Sequence, residues 1–241
     1  MEAGARAGHH EDPGAPRQPR RTLRLVDPAS GVPTSAVAVA TPTDVDEAVA
    51  AAVDASSAWA RRSPADRAAA VARAAARVRA DADELARLTT AEMGRPASLA
   101  RSGVDAAAAT MTQYAELGPL HRGRSLQGQW DATDVMVHEP RGVAAVITPW
   151  NDPVAVPAGL LAAALVTGNT VVFKPSERSP LTGERLAQAF AAELPAGVLG
   201  VVHGDGETGA ALAGHSRVDV DCHVGSTRAG RSIAEAAART G

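Results

Sequence analysis

Aromatic side chains are almost missing from this chain: three Trp, two Phe and one Tyr make up 2% of 241 residues. Aromatics normally supply large blocks of buried area, so alanine, valine and leucine must build the core instead. Hydrophobic residues reach 45%, enough over this length for one large domain or two small ones. Cysteine is scarcer still. The single thiol, Cys222, excludes an internal disulfide and fits a reducing compartment, so a cytoplasmic location is expected. Charge of one sign is lacking as well: the formal net charge is −3 with no basic run, which argues against a nucleic-acid partner. No long apolar run occurs. The longest, Val154 to Val166, holds 13 residues and is interrupted by Pro157, too short for a membrane span. Lysine appears once, at Lys174; the other side chains with a fixed positive charge are all arginine.

What is present divides into four stretches. Residues 1–21 mix Gly, Pro, His and charge without periodicity and read as a disordered tail. Its His9-His10 pair reads as bystander sequence, and no metal site is expected. Arg20-Arg21 carries a twin-arginine pattern. However, the turn Asp27-Pro28-Ala29-Ser30-Gly31 stands where an export signal needs apolar residues. Residues 22–126 read as a strand pair, Leu23–Val26 and Val37–Ala40, followed by a helical layer. Thr43 is the expected N-cap of the first helix, with Asp44, Asp46 and Glu47 in its first turn. Ser63-Pro64-Ala65-Asp66 starts a second helix. Asp81 starts a third, with Glu84 placed for a capping box and Gly94 as its stop. An alanine-rich helix then covers Ala97 to Glu116. Residues 127–140 alternate polar and apolar around Trp130, Val135 and Val137, a hairpin leaving the body as an oligomer contact.

Residues 141–241 have a different rhythm. Gly142–Thr148, Thr170–Phe173, Val198–Val202 and Val218–Val224 are short β-rich runs separated by helical segments at Val154–Thr167, Leu181–Leu194 and Glu207–Gly214. Strand, helix, strand at this spacing predicts βαβ units and a parallel sheet. The fold class is therefore α/β: a Rossmann-like parallel sheet preceded by a helical layer, with a protruding β-hairpin. Such sheets bind ligands beyond the carboxyl ends of their strands, so four loops are candidates.

After the first strand, Thr148-Pro149-Trp150-Asn151-Asp152-Pro153 combines a stiff backbone, a flat apolar surface and, in Asn151, amide donors suited to a developing oxyanion. After the second come Lys174-Pro175-Ser176-Glu177. Lys174 is a compact donor, and Glu177 is an acceptor suited to a ribose diol. After the third, Gly204-Asp205-Gly206-Glu207-Thr208-Gly209 matches G-x-G-x-x-G letter for letter. After the fourth, Gly225-Ser226-Thr227-Arg228-Ala229-Gly230 opens a helix whose N–H groups and Ser226 hydroxyl suit a phosphate. The residues alone leave the choice between these two glycine loops open. Cys222 sits inside the last strand and reads as an inert small hydrophobe. His223 beside it points to the opposite face and cannot activate it.

In order and spacing these motifs resemble the amino-terminal half of the aldehyde dehydrogenase superfamily, from about Thr22 to the last residue. Further landmarks are Glu92-Met93-Gly94-Arg95-Pro96 and Gly168-Asn169-Thr170-Val171-Val172-Phe173. The resemblance implies NAD as cofactor, with NADP as the alternative, and an aldehyde substrate in full-length relatives. It implies that Asn151 is the oxyanion-hole amide and that Thr148, Pro149 and Trp150 line the nicotinamide side. Lys174 and Glu177 would then hold the adenosine ribose, with Ser176 a further cofactor-binding residue. Ser226 would touch the pyrophosphate, with Gly225 and Gly230 making its tight turn. The GSTRAG loop becomes the cofactor loop and the G-x-G-x-x-G match a decoy, while residues 127–140 match the family's oligomerisation arm. The family's nucleophilic cysteine and general-base glutamate belong to segments beyond Gly241, so the catalytic domain is absent and the isolated chain is expected to be inactive. The competing expectation is a non-catalytic module that binds nucleotide or joins a full-length homologue. Two departures stand out: Asp152 where the family has Phe, and Asp221-Cys222-His223-Val224 in a strand normally apolar. Buried without partners, each polar group there would be costly.

Overall fold

A computed structural model describes residues 20–240. The tail expectation for residues 1–19, with His9-His10, lies outside them. Arg20 and Arg21, assigned to that tail, are instead tied to the body. Arg20 pairs with Asp44 at 3.1 Å, and Arg21 with Asp205 at 2.7 Å and Glu207 at 3.1 Å.

Strands β1 (Thr22–Val26) and β2 (Pro33–Ala38) form an antiparallel pair around the Asp27–Gly31 turn, where the Asp27 carboxylate accepts from the Ala29 and Ser30 amides. Four helices follow: α1 (Pro42–Ala60), α2 (Pro64–Ala80), α3 (Ala82–Met93) and α4 (Ala97–Leu117). The cap of α1 is Thr41, not Thr43. Pro42 at the first helical position presets the backbone one step after Thr41. Thr41 and Asp44 then bond reciprocally, with Thr41 N donating to Asp44 Oδ2 at 2.7 Å and Asp44 N to Thr41 Oγ1 at 3.2 Å. The capping box expected at Asp81 does not form. Asp81 ends α2 in near-helical geometry, and its carboxylate accepts from Arg185 at 2.8 Å, while Glu84 pairs with Arg87. Gly94 ends α3 with φ +67°, the left-handed stop that the sequence indicates.

The hairpin begins before residue 127: β3 (Arg124–Leu126) pairs with β4 (Asp134–Met136), and Trp130 at its tip is 96% exposed. Beyond it lie β5 (Val143–Ile147), α5 (Ala155–Val166), β6 (Thr170–Lys174), α6 (Pro180–Ala191), β7 (Leu199–Val201), α7 (Gly206–Ala213), β8 (Val220–His223) and α8 (Thr227–Ala237). The last four strands form one parallel sheet in the order β7-β6-β5-β8. Strand alternation divides the core between its faces. Ala144, Val146, Val171 and Phe173 pack against Leu161, Leu165, Leu186 and Phe190 of α5 and α6, with α2 and α4 behind. Val143, Ala145, Ile147 and Val172 pack against Val45 and Val49 of α1 and Leu212 of α7. Trp59 is buried on the first of these faces, its indole N–H donating to Leu165 O at 3.1 Å. The chain runs from β5 outward through β6 to β7, then crosses to place β8 on the other side of β5. That reversal opens a crevice at the carboxyl ends of β5 and β8.

Candidate functional site

A cleft of about 520 Å³ occupies this crevice, within the usual range for small-molecule sites. Ile147, Thr148, Pro149 and Trp150 form one wall as β5 ends. Thr148 is buried and its N–H donates to Lys174 O at 3.3 Å, which keeps this segment against β6. Trp150 is 45% exposed, with the Arg178 guanidinium 5.4 Å from its ring centre. Asn151 is exposed next to this wall and does not line the cleft; its carbonyl accepts from Arg95 Nη1 at 3.5 Å. The departure at Asp152 has a partner. Its carboxylate pairs with Arg95 at 3.2 Å, beside Gly103 of α4, where a Cβ would stand 3.4 Å from the carboxylate oxygen.

Lys174, Ser176 and Glu177 come from the end of β6. Lys174 is only 4% exposed, and its ammonium donates to Pro175 O at 2.8 Å and Gly204 O at 3.0 Å. An ammonium has three donors, so one remains for a ligand. Burial pushes the Lys174 ammonium below its ordinary pKa, against the opposing pull of Glu177 and Asp205. Ser176 Oγ accepts from Arg178 N at 3.2 Å and lies 3.5 Å from the exposed Glu177 carboxylate.

Both glycine loops border the cleft: Asp205, Gly206 and Gly209 line it together with Gly225 and Ser226. Their electrostatics differ. The start of α7 is capped by Asp205, whose Oδ1 accepts from Glu207 N at 3.0 Å, and Glu207 follows in its first turn. Those carboxylates already use the positive helix end and repel an anion. The start of α8 is capped by neutral Ser226, accepting from Ala229 N at 3.2 Å, and has no acidic residue in its first turn; Arg228 lines the cleft there. The α8 end is the better phosphate seat. Gly225 lies in its turn against the His223 ring, where a Cβ would come within 2.6 Å of Cε1. Gly230 is not part of that turn: it is inside α8, where its N–H bonds Ser226 O at 3.0 Å.

Among the described residues, the polar residues of β8 occupy an edge strand. Asp221 and His223 share the α8 face, while Cys222 packs into the core on the opposite face. Burial and the nearby Asp221 charge push the Cys222 thiol up, away from the reactive thiolate. Burial also pushes the Asp221 carboxyl up to about 6, against the opposing effect of His223. Ser232 and Ile233 of α8, with Ala210 of α7, line the cleft without having been indicated by sequence. Their signal was the strand-end rule applied to the third loop and to the helix after the fourth.

A profile of the aldehyde dehydrogenase family matches residues 15–241. The chain belongs to the aldehyde dehydrogenase family. It is 40% identical over 222 residues to a 3,6-anhydro-alpha-L-galactose dehydrogenase of Streptomyces coelicolor, covering 88% of this chain and 44% of that protein. The NADP/NAD-dependent aldehyde dehydrogenase PuuC of Escherichia coli is 39% identical over 217 residues, covering 88% and 44%. Among solved structures, PnpE in complex with nicotinamide adenine dinucleotide superposes with a TM-score of 0.88 at 34% identity, covering 91% of this chain and 46% of that one. The α/β fold with its parallel sheet is thus the family's fold, and this chain spans less than half the length of these relatives. The residues fit such a dinucleotide: a helix end free of carboxylates, a spare lysine donor and an exposed acidic acceptor face one cleft. Among the described residues no helix is long and apolar enough to cross a membrane, and no group of three or more metal-ligating side chains occurs.

Proposed function

We propose that this chain supplies the cofactor-binding portion of an NAD(P)-dependent aldehyde dehydrogenase. The α8 end carries this reading: it is the one glycine-loop helix start in the cleft without a carboxylate in its first turn. Ser226 and the Gly225 backbone would hold the pyrophosphate, and Gly230 would let α8 continue close to the His223 ring. Lys174, Ser176 and Glu177 would hold the adenosine ribose, with Glu177 favouring NAD over a 2′-phosphorylated cofactor by charge repulsion. Thr148, Pro149 and Trp150 would face the nicotinamide, whose role is to accept a hydride from the substrate. Asn151, exposed beside this wall, would direct its amide donors at a substrate oxyanion.

Oxidation of an aldehyde in this family's manner needs a thiolate, and the chain's one cysteine is turned into the core with its thiol pKa raised. The isolated chain should therefore bind cofactor without turnover. A reducing cytoplasm is the setting that goes with this chemistry. Calorimetric titration should show NAD binding more tightly than NADP, and Ser226→Ala should weaken both. Mixing the chain with NAD and a panel of aldehydes should yield no NADH absorbance. No NAD binding would overturn the cofactor reading; sustained NADH formation abolished by Asn151→Ala would overturn the inactivity. A second reading, an assembly module, is favoured by the hairpin. Trp130, Val135 and Val137 are all more than half exposed there, a patch suited to a second copy or a full-length homologue.

A further inference from the structure

The carboxylate of Asp221 and the imidazole of His223 share one face of β8, and the His223 ring lies against the turn assigned to the pyrophosphate. His223 Nδ1 is 3.1 Å from the Ile147 carbonyl, which only accepts, so Nδ1 carries the hydrogen and Nε2 the lone pair. That Nε2 is buried without a hydrogen-bond partner, and so is Asp221 Oδ1. The ring presses on the phosphate loop itself: a Cβ on Gly225 would lie 2.8 Å from Nε2, and one on Gly230 would lie 3.6 Å from Cδ2. A buried ring nitrogen without a donor therefore stands against a loop built to meet an anion, with the unpartnered Asp221 oxygen two residues back on the same strand face. Among the described residues nothing donates a hydrogen bond to either atom.

We propose that Asp221 and His223 act together as a proton-dependent support for the Gly225–Ser226 turn, making affinity for the cofactor's pyrophosphate rise as protons are taken up. The proposal rests on the cleft being the NAD(P) site. The signs agree for both groups. A proton on His223 Nε2 adds a positive charge behind the turn, and a proton on Asp221 removes a negative one. Each change favours an anion held by backbone N–H groups at the helix end. Burial supports the second change near neutrality, since it already lifts the Asp221 carboxyl to about 6.

The other charges on the elements around this face are accounted for. Arg228 lines the cleft from α8, where Arg231 and Glu235 are exposed. Asp219, just before β8, accepts from Val143 N at 2.7 Å. Across the cleft are Lys174, Glu177 and Asp205. On α1, Asp46 pairs with His215 at 3.3 Å, and on α7, Glu207 pairs with Arg21. Of these, Lys174 is the group whose lowered pKa would add a trend of the same sign, so the substitutions rather than the pH dependence alone decide.

The test is calorimetric titration of the full chain with NAD at pH 5.5 and pH 8.0, with adenosine as a ligand lacking phosphate. NAD should bind about fivefold more tightly at the lower pH, as expected for roughly one charge acting across a partly solvated site. Adenosine should show no such trend. His223→Phe and Asp221→Asn should each reduce the NAD ratio, and the double substitution should abolish it; circular dichroism checks that each variant is folded, and His223→Gln replaces His223→Phe if that one is not. A ratio unchanged in the folded double variant, or an adenosine trend equal to that of NAD, overturns this inference and leaves the cofactor reading intact. No NAD binding at either pH overturns the cofactor reading itself, and this inference with it.

Discussion

At the scale of single residues, Arg67 shows how a surface-type side chain becomes structural. It lies on α2 at 8% exposure, and its guanidinium donates to Val166 O at 3.0 Å, Ala60 O at 3.0 Å and Arg62 O at 2.5 Å. One side chain thus satisfies carbonyls at the ends of α1 and α5, groups that helices leave without partners. Arg67→Met should cost about 2–4 kcal/mol in urea unfolding with the slope unchanged, because buried carbonyls lose their donors. Arg67→Lys should recover less than half, since an ammonium lacks the planar fork. Nothing in the sequence distinguishes Arg67 from the neighbouring arginines of its helix; only the approach of α5 does. Asp221 illustrates the opposite outcome, a charge whose neighbours leave one oxygen unpartnered. Its carboxyl is raised from the unfolded value near 3.8 to about 6, so the folded state favours the proton. That stabilisation is fully present below the unfolded value and is lost as pH rises through about 6. Asp221→Asn should therefore raise Tm at pH 8. The side chain is only partly buried and its charge partly screened, which limits the gain to about 2 °C, and the gain should vanish toward pH 4.

At the scale of elements, sequence periodicity locates the strands of the parallel sheet and the helices between them to within a few residues, and the misplacements fall at the ends. Ser63 and Gly94 were legible because each acts on its immediate neighbours, an N-cap accepting from Asp66 N and a left-handed stop. Thr41 and Thr43 were confusable because both precede the same acidic turn. Thr41→Ala should destabilise the fold by about 1 kcal/mol, whereas Thr43→Ala, which lies inside α1 and forms no part of the cap, should change it by under about 0.5 kcal/mol; thermal unfolding checks both. The missing capping box at Asp81 has a tertiary cause: its carboxylate is drawn to Arg185 of α6, which local spacing cannot reveal. The hairpin strands likewise begin at Arg124, earlier than the alternation suggests, because pairing with Met136 rather than apolar pattern sets their register.

At the scale of the whole molecule, the hairpin is the most exposed apolar feature. Leu126, Trp130, Val135 and Val137 are all more than half exposed. The assembly reading proposed for this hairpin expects self-association in sedimentation velocity, weakened at least about tenfold by Trp130→Ser combined with Val137→Ser, with NAD affinity unchanged. The fold class, the helical layer, the βαβ rhythm and four candidate loops were all determined by sequence, because periodicity, caps and turn residues act over a few positions along the chain. The structure brings eight of the ten indicated site residues to one cleft: all but Asn151, which is exposed beside it, and Gly230, which lies within α8. Only the tertiary structure decided that β8 crosses to the far side of β5, so that two glycine loops border the same crevice. It also decided which polar side chains found partners, as Asp152 did in Arg95, and which did not, as with Asp221 Oδ1 and His223 Nε2. The reason is physical. Strand order and side-chain partnership depend on contacts between segments far apart in the chain, and no local pattern carries that information.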